Sequence, residues 1–330
     1  MSAPPVVLVT GGAGYVGSHA AQALSAAGFL PVTLDHLRRG HRALVRFGPL
    51  VEADLADETA VMAALAQWQP VGVMHFAALA YVGESVSDPL AYYHNNVGAS
   101  VALLAAMRRH DPTLPLVFSS TCAVYGDPQF LPLTETHPQA PVNPYGHSKR
   151  MVEQILADAH AAYGLRAVAL RYFNASGALA EHGIGEWHEP ETHLLPLLIQ
   201  AALGQRGPVQ LFGRDWPTAD GSCVRDYVHV ADLAQAHLCA LERLRAGAAL
   251  APAYNLGTGR GHSVLECIAS VERVTGRRVP VIDAPRRPGD PSILVADAAA
   301  ARRDLGWQAH WTDLDAVVAS ALRWHQRSLS

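Results

Sequence analysis

Near its start the chain has an unbroken apolar run, Val6-Val7-Leu8-Val9-Thr10, that stops at glycines. A short run of this kind predicts a strand buried on both faces, as in a parallel sheet. From residue 14 to about 28 the apolar positions change period, recurring at Val16, Ala20, Leu24 and Ala27. That spacing is one face of a helix. Residues 31–35 then predict a second strand closing on an acid, 58–69 a helix and 71–76 a strand. The span 92–109 predicts a helix and 114–119 a strand. Residues 143–163 predict a helix with Pro144 in its opening turn, where a missing N–H costs little, and 166–172 another strand. Alternation of strand and helix through residue 173 specifies an α/β fold, a doubly wound parallel sheet of the Rossmann kind.

Beyond residue 173 the texture changes. Residues 174–225 are rich in Gly, Pro and His, with one helical stretch near 194–203. A helix near 230–245 and a strand at Tyr254-Asn255-Leu256 follow. The tail from 263 to 330 mixes short helices with Pro-Gly turns, and the Ala-rich stretch 296–301 reads as helix. The expected division is a dinucleotide-binding domain over 1–173 plus part of about 226–256. A smaller mixed α/β domain over 174–225 and about 257–330 would cap the sheet.

The chain has 330 residues, half of them hydrophobic and 16% charged, with a net charge of −4. This excludes a disordered chain and gives no basic run for nucleic acid or an acidic membrane. No apolar stretch reaches the roughly 18 residues of a membrane span, and Met1-Ser2-Ala3-Pro4-Pro5 lacks the charged start of a signal peptide. The cytoplasm is the default expectation. Cys122, Cys223, Cys239 and Cys267 are widely spaced, which fits reduced thiols. The 17 histidines form no H-x-x-x-H or H-E-x-x-H pattern, so no metal site is expected.

Two motifs carry chemistry. Gly11, Gly14 and Gly17 follow the first strand and open the first helix. In that context they allow a tight turn, close approach of backbone to a pyrophosphate, and close packing of helix on sheet. The helix amino terminus then offers free N–H groups to the phosphates. Asp35, about 20 residues on, suits ribose hydroxyls and would repel a 2′-phosphate, so NAD is favoured over NADP. Arg38 and Arg39 lie close enough to soften that preference. Asp54-Leu55, after another short apolar run, could place a carboxylate near the adenine. The second motif is Tyr145-x-x-x-Lys149, which sets a phenol and an ammonium one helical turn apart. A neighbouring cation eases deprotonation of a phenol, whose ordinary pKa is near 10. That makes a base for a sugar or alcohol hydroxyl. Ser119-Ser120-Thr121 ends a strand at the carboxyl edge of the sheet, where a hydroxyl could relay a proton to Tyr145.

The chain resembles the extended short-chain dehydrogenase/reductase family and, within it, the UDP-glucose 4-epimerase group. The resemblance rests on Thr10 to His19, His75-Phe76-Ala77-Ala78, Val82-Gly83-Glu84-Ser85, Tyr92 to Val97, Tyr125-Gly126 and Arg171-Tyr172-Phe173-Asn174. It continues through Val224 to Val230, Tyr254-Asn255-Leu256-Gly257 and Arg287-Pro288-Gly289-Asp290. It implies a tightly held NAD, Tyr145 as base, Thr121 as its hydroxyl partner and Lys149 as the tuner of the phenol. It also implies cofactor contacts at Tyr15, Val16, His36, Phe76, Ala77, Ala78, Asn96, Ser119 and Tyr172. For the nucleotide sugar it implies Phe173, Asn174, His193, Leu194, Gln210, Leu211, Phe212, Arg225, Tyr227, Arg287 and Asp290. Leu294 resembles the position that gates between hexoses and 2-acetamido sugars. A homodimer through the helices at 92–109 and 143–163 is implied too, although a buried core face explains the same pattern.

There are departures from the family pattern. Ala80 stands where some members carry a cofactor-contacting Lys, His36 where Asn is usual, and His193 where some carry an Asn. The implied reaction is reversible C4 epimerisation of a UDP-hexose, UDP-galactose or UDP-glucose, with tolerance of N-acetyl forms. A UDP-pentose 4-epimerase needs the same residues. A nucleotide-sugar 4,6-dehydratase needs an acid and base after Thr121, where this chain has Cys122-Ala123. A non-catalytic NAD sensor would have no reason to keep Tyr145, Lys149 and Thr121 together.

Overall fold

A computed structural model describes residues 3–287 and 290–327. Met1-Ser2, Pro288-Gly289 and the last three residues lie outside the described residues, so the middle of the Arg287-to-Asp290 motif has no structural account.

Seven parallel strands form the main sheet: β1 (Val6–Thr10), β2 (Leu30–Asp35), β3 (Leu50–Glu52), β4 (Val73–His75), β5 (Leu116–Thr121), β6 (Ala167–Tyr172) and, late in the chain, β10 (Ala253–Leu256). Their spatial order is β3-β2-β1-β4-β5-β6-β10. This is the doubly wound order, with the chain reversing direction of growth between β1 and β4. Alternate side chains sort the strands onto two cores. Val7, Val9, Met74, Val117 and Val168 pack with α1 (Tyr15–Ala26) and α8 (Val230–Arg245). Leu8, Val32, Val73, Leu116 and Phe118 pack with α2 (Glu58–Trp68), α5 (Ala99–His110) and α6 (Pro144–Tyr163). Burying both faces explains the continuous apolar runs.

Capping residues set the helix starts. Asp57 accepts from the N–H groups of Thr59 and Ala60 at the start of α2, and Asn143 accepts from Gly146 at the start of α6. Between β4 and α5 lie two short helices, α3 (Val82–Ser87) and α4 (Pro89–Tyr92). The expected single helix over 92–109 is not what forms. A π-helical turn, Tyr93–Gly98, separates α4 from α5. The Asn96 carbonyl accepts from the Ser100 hydroxyl at 2.5 Å, and the Asn96 amide is held by the loop at Leu79. A widened turn of this sort often sits beside a functional site.

The remaining elements form smaller sheets at the carboxyl edge of the main one. β9 (Val224–His229) pairs with β7 (Asn174–Ser176), β11 (Gly261–Ser263) and β13 (Ile293–Leu294). β8 (Val209–Phe212) pairs in parallel with β12 (Val281–Ala284). Behind them α7 (Leu194–Ala202), α9 (Val264–Thr275) and α10 (Leu314–His325) share a core that includes Leu198, Ile199, Val271 and Val318. The Ala-rich stretch is helical only from residue 299. Ala296 instead bridges to Leu133, and its N–H donates to Asp226 at 3.3 Å, which keeps that end extended. Among the described residues, no helix is long and apolar enough to cross a membrane.

Candidate active site

A cleft of about 450 Å³ opens above the carboxyl ends of β1, β4 and β5, where ligands of doubly wound sheets bind. Its floor is the glycine turn. Gly11 holds φ at +72°, and a Cβ there would stand 2.5 Å from the Ala77 nitrogen. A Cβ on Gly17 would collide with the Gly11 carbonyl oxygen. Gly14 is the N-cap of α1 and brings no side chain to it. The first N–H groups of α1, at Tyr15, Val16 and Gly17, therefore stay free to meet an anion. All five residues line the cleft.

Asp35 ends β2 nearly buried, at 8% exposure. Its carboxylate accepts from Ala13 N–H at 3.1 Å and Leu37 N–H at 2.9 Å, so it also braces the glycine turn. Arg38 pairs with Asp54 at 3.1 Å and Arg39 with Glu84 at 2.5 Å. Both guanidinium groups are thus engaged by carboxylates, which favours a cofactor without a 2′-phosphate. His36, Asp54, Leu55, Phe76, Ala77 and Ala78 line the same end of the cleft, as does the exposed Ala80.

The catalytic candidates come together at the end of β5. Alternation along the strand sends Ser119 and Thr121 to the cleft and Ser120 away from it, where its hydroxyl donates to Glu153 at 2.5 Å. Tyr145 and Lys149 reach the cleft from the first turns of α6, and Tyr172 from the end of β6. The Ser119 and Tyr172 hydroxyls are hydrogen-bonded at 2.5 Å. Lys149 is buried; its ammonium donates to the Ser119 carbonyl oxygen at 2.8 Å and lies 4.9 Å from the Phe118 ring centre. Burial pulls its pKa down to about 7, against the opposing charge of Glu153.

Burial raises the Tyr145 phenol well above its ordinary value, and Tyr172 pushes the same way, while the Thr121 hydroxyl draws it down. The Thr121 hydroxyl thus eases its ionisation, while the Lys149 ammonium is anchored on the Ser119 carbonyl oxygen. Thr121 also accepts from Ala123 N–H at 3.1 Å, which fixes its rotamer.

The far end of the cleft is lined by Phe173, Asn174, His193, Leu194, Arg225, Tyr227, Asp290 and Leu294. Leu294 and Arg225 are register partners across β13 and β9. Leu294 packs on a cluster that holds Phe173, Cys122 and Tyr125. Arg225 lies 3.8 Å from Asp290. Tyr227 is mostly a core residue, 6% exposed.

Five expected contacts fall elsewhere. Asn96 is turned into the protein, bonding Leu79 N–H at 2.8 Å and the Ser148 hydroxyl at 3.0 Å, and does not line the cleft. Gln210, Leu211, Phe212 and Arg287 do not line it either. Within β8, Leu211 is buried and Gln210 faces solvent, and the Arg287 guanidinium covers the Phe212 ring at 4.3 Å. Among the cleft residues missed from sequence, two groups lie in loops. Tyr81 comes from the loop before α3; Glu186, Trp187 and His188 precede α7. The signal for the second group was present as the spacing Glu186-x-His188-x-x-Glu191-x-His193.

Residues 7–257 match the NAD dependent epimerase/dehydratase family. The chain belongs to that family. It is 50% identical over 322 residues to a UDP-glucose 4-epimerase of Rhizobium leguminosarum bv. trifolii, covering 98% of each chain. The crystal structure of the Brucella ovis UDP-glucose 4-epimerase in complex with NAD superposes with a TM-score of 0.94 at 48% identity, covering 97% of this chain and 98% of that one. The Stenotrophomonas maltophila UDP-glucose-4-epimerase, with bound NAD and formylated UDP-arabinopyranose, gives 0.92 at 42% identity over 97% of each. As a member of an NAD-dependent family, the chain has what the cofactor needs: glycines where a Cβ would collide, uncapped helix N–H groups, and a buried acid at the end of β2.

Proposed function

We propose that this protein is an NAD-dependent epimerase that inverts C4 of a UDP-hexose reversibly, interconverting UDP-galactose and UDP-glucose. The observation that carries this reading is the meeting of Tyr145, Thr121 and Lys149 in one cleft with the Gly11-to-Gly17 turn. When bound, NAD supplies an acceptor for the hydride at C4 and later its donor. The chain's own residues do the rest. Tyr145 takes the proton of the 4-hydroxyl at its phenolic oxygen and returns it after the keto sugar has turned. Thr121 hydrogen-bonds the same proton path. Lys149, fixed on Ser119, holds a positive charge at the cofactor end and orients its ribose. Arg225 and Asn174 grip the nucleotide while the sugar remains free to rotate.

The residues after Thr121 argue against a dehydratase. Ala123 has no acid, and burial pushes the Cys122 thiol up to about 12, so it stays neutral. The large sheet would hold the cofactor and the smaller sheets the nucleotide sugar. Exposed Val82, Val86, Leu90 and Met151 lie on α3, α4 and α6, helices that pack together, and support a homodimer through that face. A cytoplasmic location suits an enzyme of nucleotide sugars.

Incubating the purified protein with UDP-galactose and no added NAD tests the reading. Accumulation of UDP-glucose supports it. A 4-keto-6-deoxy product would indicate the dehydratase, and conversion confined to UDP-xylose and UDP-arabinose a pentose enzyme.

A further inference from the structure

The segment between β7 and α7 gathers Glu186, His188, Glu191 and His193 at the cleft wall, one donor atom from each lying within 4.8 Å of all the others. His193 Nδ1 stands 3.0 Å from Glu186 Oε1 and 2.9 Å from Glu191 Oε1. His188 Nδ1 stands 3.3 Å from Glu186 Oε1 and 3.6 Å from Glu191 Oε2. Two nitrogens and two carboxylates thus alternate around one point. A tetrahedral zinc ion with bonds near 2.1 Å has donor–donor edges of about 3.4 Å; the two imidazole nitrogens lie 3.0 and 3.3 Å from the one Glu186 oxygen, while Glu191 meets the two rings with different oxygens.

Two further observations point the same way. His188 Nδ1 is a buried atom that lies in ion-pair range of Glu186 and Glu191 yet makes no hydrogen bond to either, so it is held by charge alone. Orphaned buried nitrogens of this kind call for an explanation. The carboxylates are also well enclosed, with side-chain exposures of 6% for Glu186 and 7% for Glu191. Burying two carboxylates beside one another is costly unless a cation joins them.

We propose that Glu186, His188, Glu191 and His193 form a binding site for a divalent cation of the zinc class. Imidazole with carboxylate suits zinc, cobalt or nickel better than calcium or magnesium, which prefer all-oxygen shells. The metal takes the place of the proton that His193 shares with the two carboxylates. It ties together a wall whose rings also touch Tyr15 of the glycine turn, at 6.1 Å from His188, and Tyr81, at 5.8 Å. The site is therefore a clamp on one side of the cleft, separate from the proton-transfer groups at Tyr145. It does not depend on which sugar the enzyme takes.

The test uses chelator-treated, full-length protein titrated with zinc by equilibrium dialysis, and with cobalt(II) as a spectroscopic probe. One zinc per chain and the intense visible absorption of tetrahedral cobalt are expected. His188→Gln and Glu191→Gln, checked for folding by circular dichroism, should each bind at least about tenfold more weakly. Absence of saturable binding to the wild type overturns the proposal. So does binding that both folded variants retain unchanged, which would assign the metal to surface histidines. If either variant fails to fold, the wild-type cobalt spectrum decides: octahedral, weak bands refute the site.

Discussion

Lys149, the one lysine of the sequence, donates to the carbonyl oxygen of Ser119 at 2.8 Å, so its buried ammonium is anchored on the end of β5 near the phenol of Tyr145. The two side chains share a helix face, yet the cation's first partner is a backbone oxygen across the gap between α6 and the sheet. Asn96 supports the same geometry from the other side. From within the π-helical turn its amide donates at 3.0 Å to Ser148, the residue before Lys149. The register of α6 against the cleft is thereby set by two hydrogen bonds that leave the phenol free.

Tyr145→Phe is expected to keep its cofactor and bind UDP while losing about 10² to 10⁴ in turnover, the usual contribution of a positioned base. Cofactor content by absorbance and turnover of UDP-galactose check this. Turnover near that of the wild type would remove Tyr145 from the role of base.

Burial lowers Lys149 to about 7 from an ordinary 10.5. Between those values the unfolded chain holds more protons than the folded one, so stability should rise with pH. The destabilisation is complete below about 7 and disappears as the pH approaches the ordinary lysine value. Urea unfolding of the wild type and of Lys149→Met from pH 6.5 to 9 checks the sign. The wild type should gain on the variant as pH rises; a gap that stays constant would contradict a desolvated ammonium.

Glu153 and Arg171 form a buried pair at 2.6 Å, with side-chain exposures of 10% and 5%. Glu153→Gln leaves the guanidinium without a counter-charge, and the expected loss is about 3–5 kcal/mol of stability by chemical denaturation. A loss of less than about 1 kcal/mol would mean that the pair behaves like a surface ion pair.

Leu294 rests against the cluster of Phe173 and Cys122 at the sugar end of the cleft. Leu294→Tyr should reduce turnover of UDP-N-acetylgalactosamine more than that of UDP-galactose, because the larger ring fills the space an acetamido group needs. The ratio of kcat/KM for the two substrates measures it, and an unchanged ratio would dismiss Leu294 as the gate.

Most of the main sheet was legible in the sequence because β1, β2, β4, β5 and β6 are built on buried apolar runs, whereas β3 is three residues long, half-exposed and closes on Glu52. The glycine turn and the Tyr145–Lys149 pair were legible because their spacing is local. What the sequence hid is long-range. Asn96 sits in an amphipathic stretch that reads as ordinary helix, and only its bonds to Leu79 and Ser148 reveal the widened turn. The burial that governs Tyr145 depends on how Tyr172 and Tyr92 close around it, which no spacing records. Phe212 and Arg287 looked like cleft residues, yet they satisfy each other across the β8–β12 pair. The Glu186-to-His193 cluster follows no familiar metal pattern because its histidines are five residues apart in a loop.

Because β10 lies at the edge of the main sheet against β6, the seventh strand is delivered only after the chain has built β7, β8 and β9 elsewhere. A fragment ending after β6 would leave the hydrogen-bonding groups of that strand bare and its apolar neighbours without the cover of α8. Such an edge pairs readily with another chain. The first half of this protein should therefore aggregate when expressed alone, and proteolysis within residues 177–223 should yield two pieces that stay together until denatured.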